Sequence, residues 1–527
     1  MSSGVSTTAR PRPPVPDEPV PRRRPRPPMF WRSPPDQPRW ARPALLAVAA
    51  FAALLYARNL ASSDYAPFYS VAARSMSVSW EAFVFTALDP AATITLDKIG
   101  GFLWPQALCA RLFGFHAWSL ALPQTVEGVV SVLVLYRVVR RWQGPAAGLV
   151  AAGLLTVTPV TASMFGNAIL DAPLLMCLVL AADRYQKAVV TGRLGPLLLC
   201  GVWIGLGFQA KMMLAWLVVP ALAVGYAVAA PHPLRRRLGH LLAAGGVLLA
   251  VSLSWVALMT FTPEGSRPYV DGTTDNSAFA MVFGYNGLDR LHDGLVPGSF
   301  HGTFPDGAGG GPAAAGQSLP DTEGWTKLFG ARFGAQVGWL YPLALLSLVL
   351  GLVRYRRRPR TDRHGAGHLM WGCWLLTSAV ALSAMAVPHT AYVSLLAPAL
   401  AALSAAGAVT LWRLHRTARG GGGPRAWLLP ATVVVQEVWT LRVASDYTDF
   451  APWLAPLVLV TSVAACAALV YATAARRPGR RSVRRIGALG LAGACVAVVA
   501  APVTWSLSVL DERYAGSSFD AAAGPPF

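Results

Sequence analysis

The chain alternates between long apolar runs and short polar segments. The apolar runs recur from residue 43 to residue 508, and each has roughly the length of 17–25 residues that an α-helix needs to cross a bilayer. We therefore predict an all-α polytopic membrane protein with about thirteen transmembrane helices. The predicted spans are 43–58, 119–136, 145–162, 172–190, 195–210, 212–230, 239–261, 334–353, 368–387, 391–412, 427–443, 452–473 and 486–508.

Basic residues concentrate in the loops between these runs and indicate the orientation of the chain. Cytoplasmic loops of membrane proteins carry an excess of Lys and Arg, so the basic loops are predicted to face the cytoplasm. The protein is then expected in the cytoplasmic membrane, with its N-terminus cytoplasmic and its C-terminus external. This pattern accounts for the net charge of +20, and we predict no nucleic-acid partner. The basic loops are 137–141, 184–193, 235–237, 354–363, 413–425 and 476–485.

The polar segments divide the chain into a tail and one transmembrane domain. Residues 1–42 are rich in Pro and Arg and cannot bury a core, so we predict a disordered cytoplasmic tail. Residues 43–527 form the transmembrane domain. Its two long external loops are expected at 59–118 and at 262–333, and the second contains the glycine-rich insert "FPDGAGGGPAAAGQS".

The first external loop is predicted to contain helices that lie at the outer membrane interface. Segment 101–115 is apolar, but the parity of the basic loops leaves no crossing for it, and it carries Pro105 and Arg111. An amphipathic segment of this kind is typical of an interfacial helix. Segment 69–80 is predicted to be a second one.

The six cysteines give no sign of a metal site or a disulfide framework. They are scattered through apolar segments without a CxxC spacing, so we interpret them as small core residues. The sequence also lacks a phosphate-binding loop signature. We expect no cofactor, and the metal requirement is left open.

The ionisable residues that fall on the external side are the candidates for chemistry. One interpretation is a shared cavity in which carboxylates activate a hydroxyl nucleophile while lysines hold an anionic leaving group. The alternative is structural, because loop acids often cap helices and lysines extend to the interface. For Lys211 the functional interpretation is favoured, for His389 the structural one, and for Asp171 the two are balanced. The candidates are Asp64, Asp97, Lys98, Asn167, Asp171, Lys211, Asp275, Tyr285 and His389.

Several stretches together resemble the bacterial glycosyltransferase family 39-like membrane proteins, which are related to protein O-mannosyltransferases and the lipid A aminoarabinose transferase. The matching stretches include "SMSVSWEAFVFTALDP", "TITLDK", "GLGFQAKM", "GYNGLDRL" and "PHTAYVSLLAPALAAL". The resemblance implies a GT-C fold with about thirteen membrane helices, an external active-site cavity and interfacial helices in the first loop. It also implies transfer of a sugar from a polyprenyl-phosphate donor to an external acceptor, with inversion at the anomeric carbon.

The resemblance assigns roles to individual residues. Asp64, Asp97 and Asp171 match acidic residues of the site, and we predict them to be catalytic. Lys98 and Lys211 match lysines that bind the donor phosphate. The family usually has two prolines after the first of these lysines, where this chain has Ile99-Gly100.

The expected partners are membrane lipids, a polyprenyl-phosphate sugar and an acceptor that is either a protein or a component of the cell envelope. The sequence leaves open which sugar is transferred, whether hexose or pentose, and which acceptor receives it. A transporter or flippase of lipid-linked sugars is one alternative, but it should place ionisable residues near the middle of several spans. A noncatalytic scaffold with the same fold is the other alternative.

Overall fold

The computed structural model describes residues 31–58, 60–61, 63–292, 294–300, 324–387, 389–418, 423–475 and 481–525. Most of the predicted N-terminal tail and the glycine-rich insert of the second external loop lie outside the described residues. Within the described residues the regular structure is helical, and the β-structure consists of three isolated bridges.

The described helices follow the predicted apolar runs, with short 3₁₀ or π segments between several of them. The α-helices are α1 Ala41–Ala57, α2 Pro67–Val78, α3 Trp80–Phe85, α4 Trp104–Phe113, α5 Ala117–Gln143, α6 Pro145–Thr156, α7 Pro159–Met164, α8 Asp171–Thr191, α9 Leu194–Lys211, α10 Val219–Ala229, α11 Leu234–Ser252, α12 Ser254–Phe261, α13 Ala331–Val337, α14 Tyr341–Tyr355, α15 Arg363–Ala384, α16 Ala397–Ala418, α17 Leu428–Ala444, α18 Leu454–Ala474 and α19 Arg481–Ser508.

The protein is a multi-pass membrane protein, but the predicted number of spans is not confirmed. In the described chain, 6 helical segments are long and apolar enough to cross a membrane, or 7 if α11 and α12, which meet at 51°, form one span. Helices α1 and α6 are apolar but shorter. The predicted span 145–162 is divided because Pro159 starts a new helix, α7, after a break at Val157 and Thr158.

The chain reverses direction between α9 and the 3₁₀ segment Met212–Val218. Met212 has a positive φ of 42°, which breaks the helix immediately after Lys211. The Nε2 atom of His232, beyond the end of α10, donates to the carbonyl oxygen of Gly192, just before α9, over 2.7 Å. Because the two far ends meet, α9 and α10 run in opposite directions and Lys211 lies at the tip between them.

The basic loops gather at one end of the helix bundle, which we call the arginine end. Arg360 donates to the carbonyl oxygens of Val228 and Ala230 at 3.0 and 2.6 Å. Trp142 donates from Nε1 to the carbonyl oxygen of His364 at 3.1 Å. The loops after α5, α10 and α14 therefore lie side by side, as the charge pattern predicted.

The predicted external segments gather at the opposite end, which we call the site end. The two long loops pair through their backbones, because Thr95 donates to the carbonyl oxygen of Tyr269 and Tyr269 donates to that of Thr93, each at 2.9 Å. Helices α2 and α4 occupy the two segments predicted to be interfacial, and Trp80, Leu112 and Phe113 beside or within them are exposed. Their position at a membrane interface stays a prediction.

The segment after α19 packs across the site end, and we call residues 509–525 the C-terminal strap. Ala515 accepts hydrogen bonds through its carbonyl oxygen from Ser163 at 2.7 Å and from Asn167 at 3.0 Å. Gln336 of α13 exchanges two hydrogen bonds with the backbone of Ala523. The strap thus ties the turn after α7 to α13.

Candidate active site

The first predicted site pair, Asp97 and Lys98, is held by the small backbone pairing in the first loop. The flanking residues Leu96 and Ile99 are fully buried, which anchors the pair on both sides. The Nζ atom of Lys98 lies 2.5 Å from Oδ2 of Asp97 and donates to the hydroxyl of Tyr69 at 2.9 Å. Burial alone would lower the pKa of Lys98, but the Asp97 carboxylate outweighs it and raises the pKa, so the ammonium stays charged.

Glycines after the lysine let the first loop approach α9 closely. A Cβ atom at Gly101 would lie 2.5 Å from the carbonyl oxygen of Gln209, and one at Gly100 would meet the side chain of Thr86 at a similar distance. Only glycine fits such contacts without movement of the backbone. The position at which this chain has Ile99-Gly100 instead of the family's usual prolines therefore lies where the first loop packs against its surroundings. The contacted residue of α9, Gln209, is two residues before Lys211.

The second site pair joins two helices that are distant in sequence. Asp171 is the first residue of α8 and Lys211 the last residue of α9, and Nζ of Lys211 lies 2.5 Å from Oδ2 of Asp171. Both residues are buried, with 1% and 5% of their surface exposed. The same ammonium lies 4.2 Å from the ring centroid of Tyr392, within the range of a cation–π interaction.

Each carboxylate of the two pairs leaves one oxygen unused. In the described chain, Oδ1 of Asp97 and Oδ1 of Asp171 are buried and have no hydrogen-bond partner. Buried polar atoms are nearly always paired, so two orphaned carboxylate oxygens beside two lysines call for an explanation. An acceptor hydroxyl or a water molecule could donate to either of them.

The two lysines line one cleft that is polar at one side and apolar along the rest. Lys98, Lys211, Asn286 and Tyr392 supply its polar groups. The cleft is thus shaped for a molecule with an anionic head and an apolar chain. Its remaining lining residues are Met212, Met213, Leu214, Leu217, Gly287, Leu288, Leu291, Ala381 and Met385.

A third cation, Arg290, lies beside the cleft and was not singled out from the sequence. Its guanidinium carbon lies 5.7 Å from the ring centroid of Tyr285. Burial lowers the pKa of Arg290, but Tyr392, Tyr285 and Asp97 outweigh burial and raise it. Its Nε atom is buried without a hydrogen-bond partner in the described chain. The sequence did contain a sign of its role, because Arg290, in the stretch "GYNGLDRL", lies outside the predicted cytoplasmic loops.

The same stretch contributes two residues that support the first pair. Asn286 donates from Nδ2 to the carbonyl oxygen of Asp97 at 2.6 Å, which fixes the backbone of the pair. Tyr285, a predicted binding residue, is half-buried beside Asp97, Lys98 and Arg290, and burial raises its pKa. The structure therefore brings five of the predicted residues together: Asp97, Lys98, Asp171, Lys211 and Tyr285.

Known proteins are similar to this chain in sequence and in fold. Residues 101–255, which include Asp171 and Lys211, match the family model of dolichyl-phosphate-mannose-protein mannosyltransferase. The chain is 29% identical to "Putative mannosyltransferase YycA" of Bacillus subtilis, over 92% of this chain and 78% of the relative. It is also 29% identical to undecaprenyl phosphate-alpha-4-amino-4-deoxy-L-arabinose arabinosyl transferase 1 of Pseudomonas fluorescens, over 29% of this chain and 28% of that protein.

Among solved structures, ArnT from Cupriavidus metallidurans in the apo state superimposes with a TM-score of 0.54 and 19% identity, over 89% of this chain and 78% of ArnT. The same protein bound to undecaprenyl phosphate gives a TM-score of 0.52 at the same identity, over 88% and 77%. The predicted resemblance to GT-C membrane glycosyltransferases is confirmed. At this identity the structural match establishes the fold, and the activity of the chain is argued below.

Two other predicted residues contact the C-terminal strap instead of the cleft. Asp64 is exposed, and its Oδ1 accepts from the backbone N–H of Ser518 at 2.8 Å. Asn167 binds the carbonyl oxygen of Ala515, as described above. No described hydrogen bond or ion pair joins Asp64 or Asn167 to either lysine, and their catalytic and binding roles stay predictions.

His389 lies between the strap and the cleft. Its ring packs edge-on against Phe519 of the strap, with centroids 4.7 Å apart. Burial lowers the pKa of His389, and the charges of Lys211, Lys98 and Arg290 lower it further. The imidazole is therefore neutral at neutral pH, in a position between the two groups of residues.

The strap itself is anchored by a carboxylate that sequence reasoning passed over. Asp520 accepts hydrogen bonds from the backbone N–H and the hydroxyl of Thr390 at 2.6 and 2.8 Å, and lies 3.3 Å from the buried guanidinium of Arg332. Thr390 begins the 3₁₀ segment Thr390–Leu396, which carries Tyr392 to Lys211. The strap therefore helps to position one wall of the cleft.

The last predicted residue, Asp275, has a local role in the second external loop. Its Oδ1 accepts from the backbone N–H of Ser277 at 3.1 Å, and its side chain packs against Gly298. A different acid of this loop, Asp271, is affected by the first site pair. Burial raises the pKa of Asp271, and the charge of Asp97 raises it as well. Binding by Asp275 stays a prediction.

Proposed function

We propose that the protein transfers a sugar from a polyprenyl-phosphate donor to an acceptor on the external face of the cytoplasmic membrane, with inversion at the anomeric carbon. The observation that carries this proposal is that the lysines of two buried Asp–Lys pairs, each with an orphaned carboxylate oxygen, line one cleft. Such a cleft offers cations for a leaving phosphate and acceptors for a proton in the same place.

The donor fits the cleft through its two chemically different parts. The phosphate would lie between Lys98, Lys211 and Arg290, whose charges match a phosphodiester. The prenyl chain would follow the apolar lining formed by the segment after α9 and by the end of α15 toward the lipid. The match to an ArnT structure bound to undecaprenyl phosphate supports a donor of this class.

The chemical step exchanges one C–O bond for another at the anomeric carbon. The acceptor hydroxyl oxygen attacks the face opposite the phosphate, the bond between the anomeric carbon and the phosphate oxygen breaks, and the configuration inverts. The hydroxyl proton passes to Oδ1 of Asp97 or Asp171, which acts as the general base. The electron pair remains on the polyprenyl phosphate, whose added charge Lys98 and Lys211 stabilise.

The charge pattern supports an external location for this reaction. The arginine end carries the basic loops that membrane proteins keep in the cytoplasm, and the cleft lies at the opposite end of the bundle. The three cations at the cleft supply positive charge from the protein itself.

Sugar transfer by the full-length protein in membranes tests the proposal. Polyprenyl-phosphate hexose and pentose donors are offered with envelope extract as the acceptor, and the transferred sugar is counted. Lys98→Met and Lys211→Met should each lower transfer at least about 100-fold, as loss of a charge-stabilising group does. Lys187→Met is the matched control, because Lys187 is exposed near the arginine end and should retain full transfer.

The same assay identifies the alternatives. Unchanged transfer in both cleft variants would remove these lysines from the reaction. Donor movement across the membrane without transfer, lost in the same variants, would instead identify a flippase.

A further inference from the structure

We propose that a cavity at the arginine end binds the phosphate head group of an anionic phospholipid. The cavity lies where α14 ends and α15 begins, at the opposite end of the bundle from the candidate active site. It is lined by Arg354, Tyr355, Arg358, Asp362 and His364. Its location and chemistry are independent of the proposed sugar transfer.

The cavity has a net positive charge that the protein itself does not neutralise. In the described chain, Arg354 and Arg358 take part in no ion pair and no side-chain hydrogen bond. The only acid in the lining, Asp362, already accepts from the backbone N–H groups of His364 and Gly365, at 3.0 Å each, as the N-cap of α15. Two guanidinium groups therefore face the cavity without a protein anion.

Three other arginines at this end already have partners within the protein. Arg137 and Arg141 bind the buried carboxylate of Asp183 at 2.6 and 2.7 Å, and Arg360 donates to backbone carbonyl oxygens. The orientation of the chain requires basic loops, but it does not require unpaired arginines around a cavity. The cavity between α14 and α15 is thus a separate feature of this end.

His364 contributes its imidazole ring to the cavity wall. Its ring stacks on Tyr355 with centroids 5.4 Å apart, and its Nε2 accepts from Nε of Arg363 at 3.4 Å. The ring proton is then on Nδ1, which is buried and has no partner in the described chain. An N–H donor beside two guanidinium groups suits the several oxygens of a phosphate.

The surface next to the cavity favours a lipid over a soluble anion. Val349, Leu352 and Val353 lie on α14 just before Arg354, and their side chains are exposed. These residues belong to an apolar helix that is long enough, together with α13, to cross a membrane. A ligand that carries acyl chains covers this apolar surface while its phosphate reaches the arginines.

Binding to the purified full chain in nanodiscs tests this proposal. Phosphatidylglycerol is titrated into phosphatidylcholine nanodiscs with the same acyl chains, and retained lipid is counted by native mass spectrometry. Arg354→Gln with Arg358→Gln should weaken retention of phosphatidylglycerol about tenfold. Arg356→Gln with Arg357→Gln is the matched control, because these arginines belong to the same exposed loop but do not line the cavity.

Each outcome decides the question. An equal loss in the two double variants would mean that general loop charge attracts the lipid, and would overturn the site. If inorganic phosphate alone raised the unfolding temperature as much as phosphatidylglycerol does, the cavity would be assigned to a soluble anion. If the cavity variant misfolds, His364→Phe, which keeps the ring stacking but removes the donor, should still weaken retention, and unchanged retention there would also overturn the proposal.

Discussion

The two ends of the bundle each bury carboxylates among cations, but they use them in opposite ways. At the arginine end, Asp183 is fully buried and lies within 2.7 Å of three guanidinium groups, from Arg137, Arg141 and Arg184. At the site end, Asp97 and Asp171 each bind a single lysine and keep one oxygen without a partner. One carboxylate faces three cations, whereas each of the others faces one.

This difference separates a structural ion pair from a reactive one. A buried pair stabilises a protein only when its charges are well matched, and removal of one partner leaves an uncompensated charge. Asp183 meets that condition, because three guanidinium groups surround it. At the site end, the lysines of both pairs line a cleft, which is the usual position of a charged group kept for function.

The largest effect is expected when the acids of the site end are neutralised. Asp97→Asn and Asp171→Asn should each lower sugar transfer at least about 100-fold, because the general base is lost or the phosphate-binding lysine is displaced. Asp171→Asn should also lower the free energy of unfolding by about 3 kcal/mol, because Lys211 stays buried without its partner. Transfer per folded molecule and thermal unfolding measure the two effects separately. Full transfer by both variants would contradict the assignment of the base.

Neutralising the acid of the arginine end should give the reverse pattern. Asp183→Asn is expected to lower the free energy of unfolding by about 2 kcal/mol, less than for a fully buried pair because its arginines are partly exposed. Sugar transfer per folded molecule should stay within about twofold of the parent, since the residue is at the far end of the bundle. A selective loss of transfer with unchanged unfolding would mean that the two ends are coupled.

Much of the fold followed from local sequence because membrane spans are encoded locally. The observed α8, α9, α18 and α19 lie within a few residues of the predicted spans, since each is a continuous apolar run with polar ends. The order of the basic loops along the chain also predicted that the chain reverses direction at Lys211 and that the basic loops lie at the same end of the bundle. The breaks inside other runs, such as that before Pro159, depend on packing and were missed.

The candidate site was predictable only in part because its contacts are long-range. Asp171 and Lys211 were identified separately, but no sequence pattern joins residues forty positions apart on different helices. Arg290 was missed because a single arginine in a long loop is normally solvated. Asp64 was assigned to the site by the family resemblance, whereas in the structure its carboxylate accepts a hydrogen bond from Ser518 of the strap.

Arg290 provides the next largest expected effect at the site end. Arg290→Gln should reduce transfer about tenfold, mainly through a higher KM for the polyprenyl-phosphate donor, because one of three phosphate-facing charges is lost. Arg267→Gln is the control, since Arg267 belongs to the same external loop but donates to Asn276. A fall in kcat with an unchanged KM would instead place Arg290 at the acceptor or the transition state.

The pH dependence of stability tests the effect of the cations on His389. Burial and the cations hold its pKa below the usual value in the folded protein, so the unfolded chain binds a proton first as the pH falls. This contribution to stability is present above about pH 6.5 and is lost below it. The unfolding temperature should therefore fall by a few degrees between about pH 7 and pH 5.5, and His389→Gln should reduce that fall. An identical pH profile in the variant would show that His389 is not the group responsible.

The smallest effect is expected from Asp64, where structure and family resemblance give different answers. The resemblance makes Asp64 catalytic, which predicts that Asp64→Asn abolishes transfer. In the structure its Oδ1 accepts from Ser518, and an asparagine oxygen can accept the same bond, so we expect transfer to fall less than about threefold. Asp64→Leu, which cannot accept that bond, separates the two explanations: a modest loss that appears only with leucine supports a role in holding the strap. Abolition by asparagine as well would place Asp64 in the reaction and extend the open, reactive arrangement of the site end to a third acid.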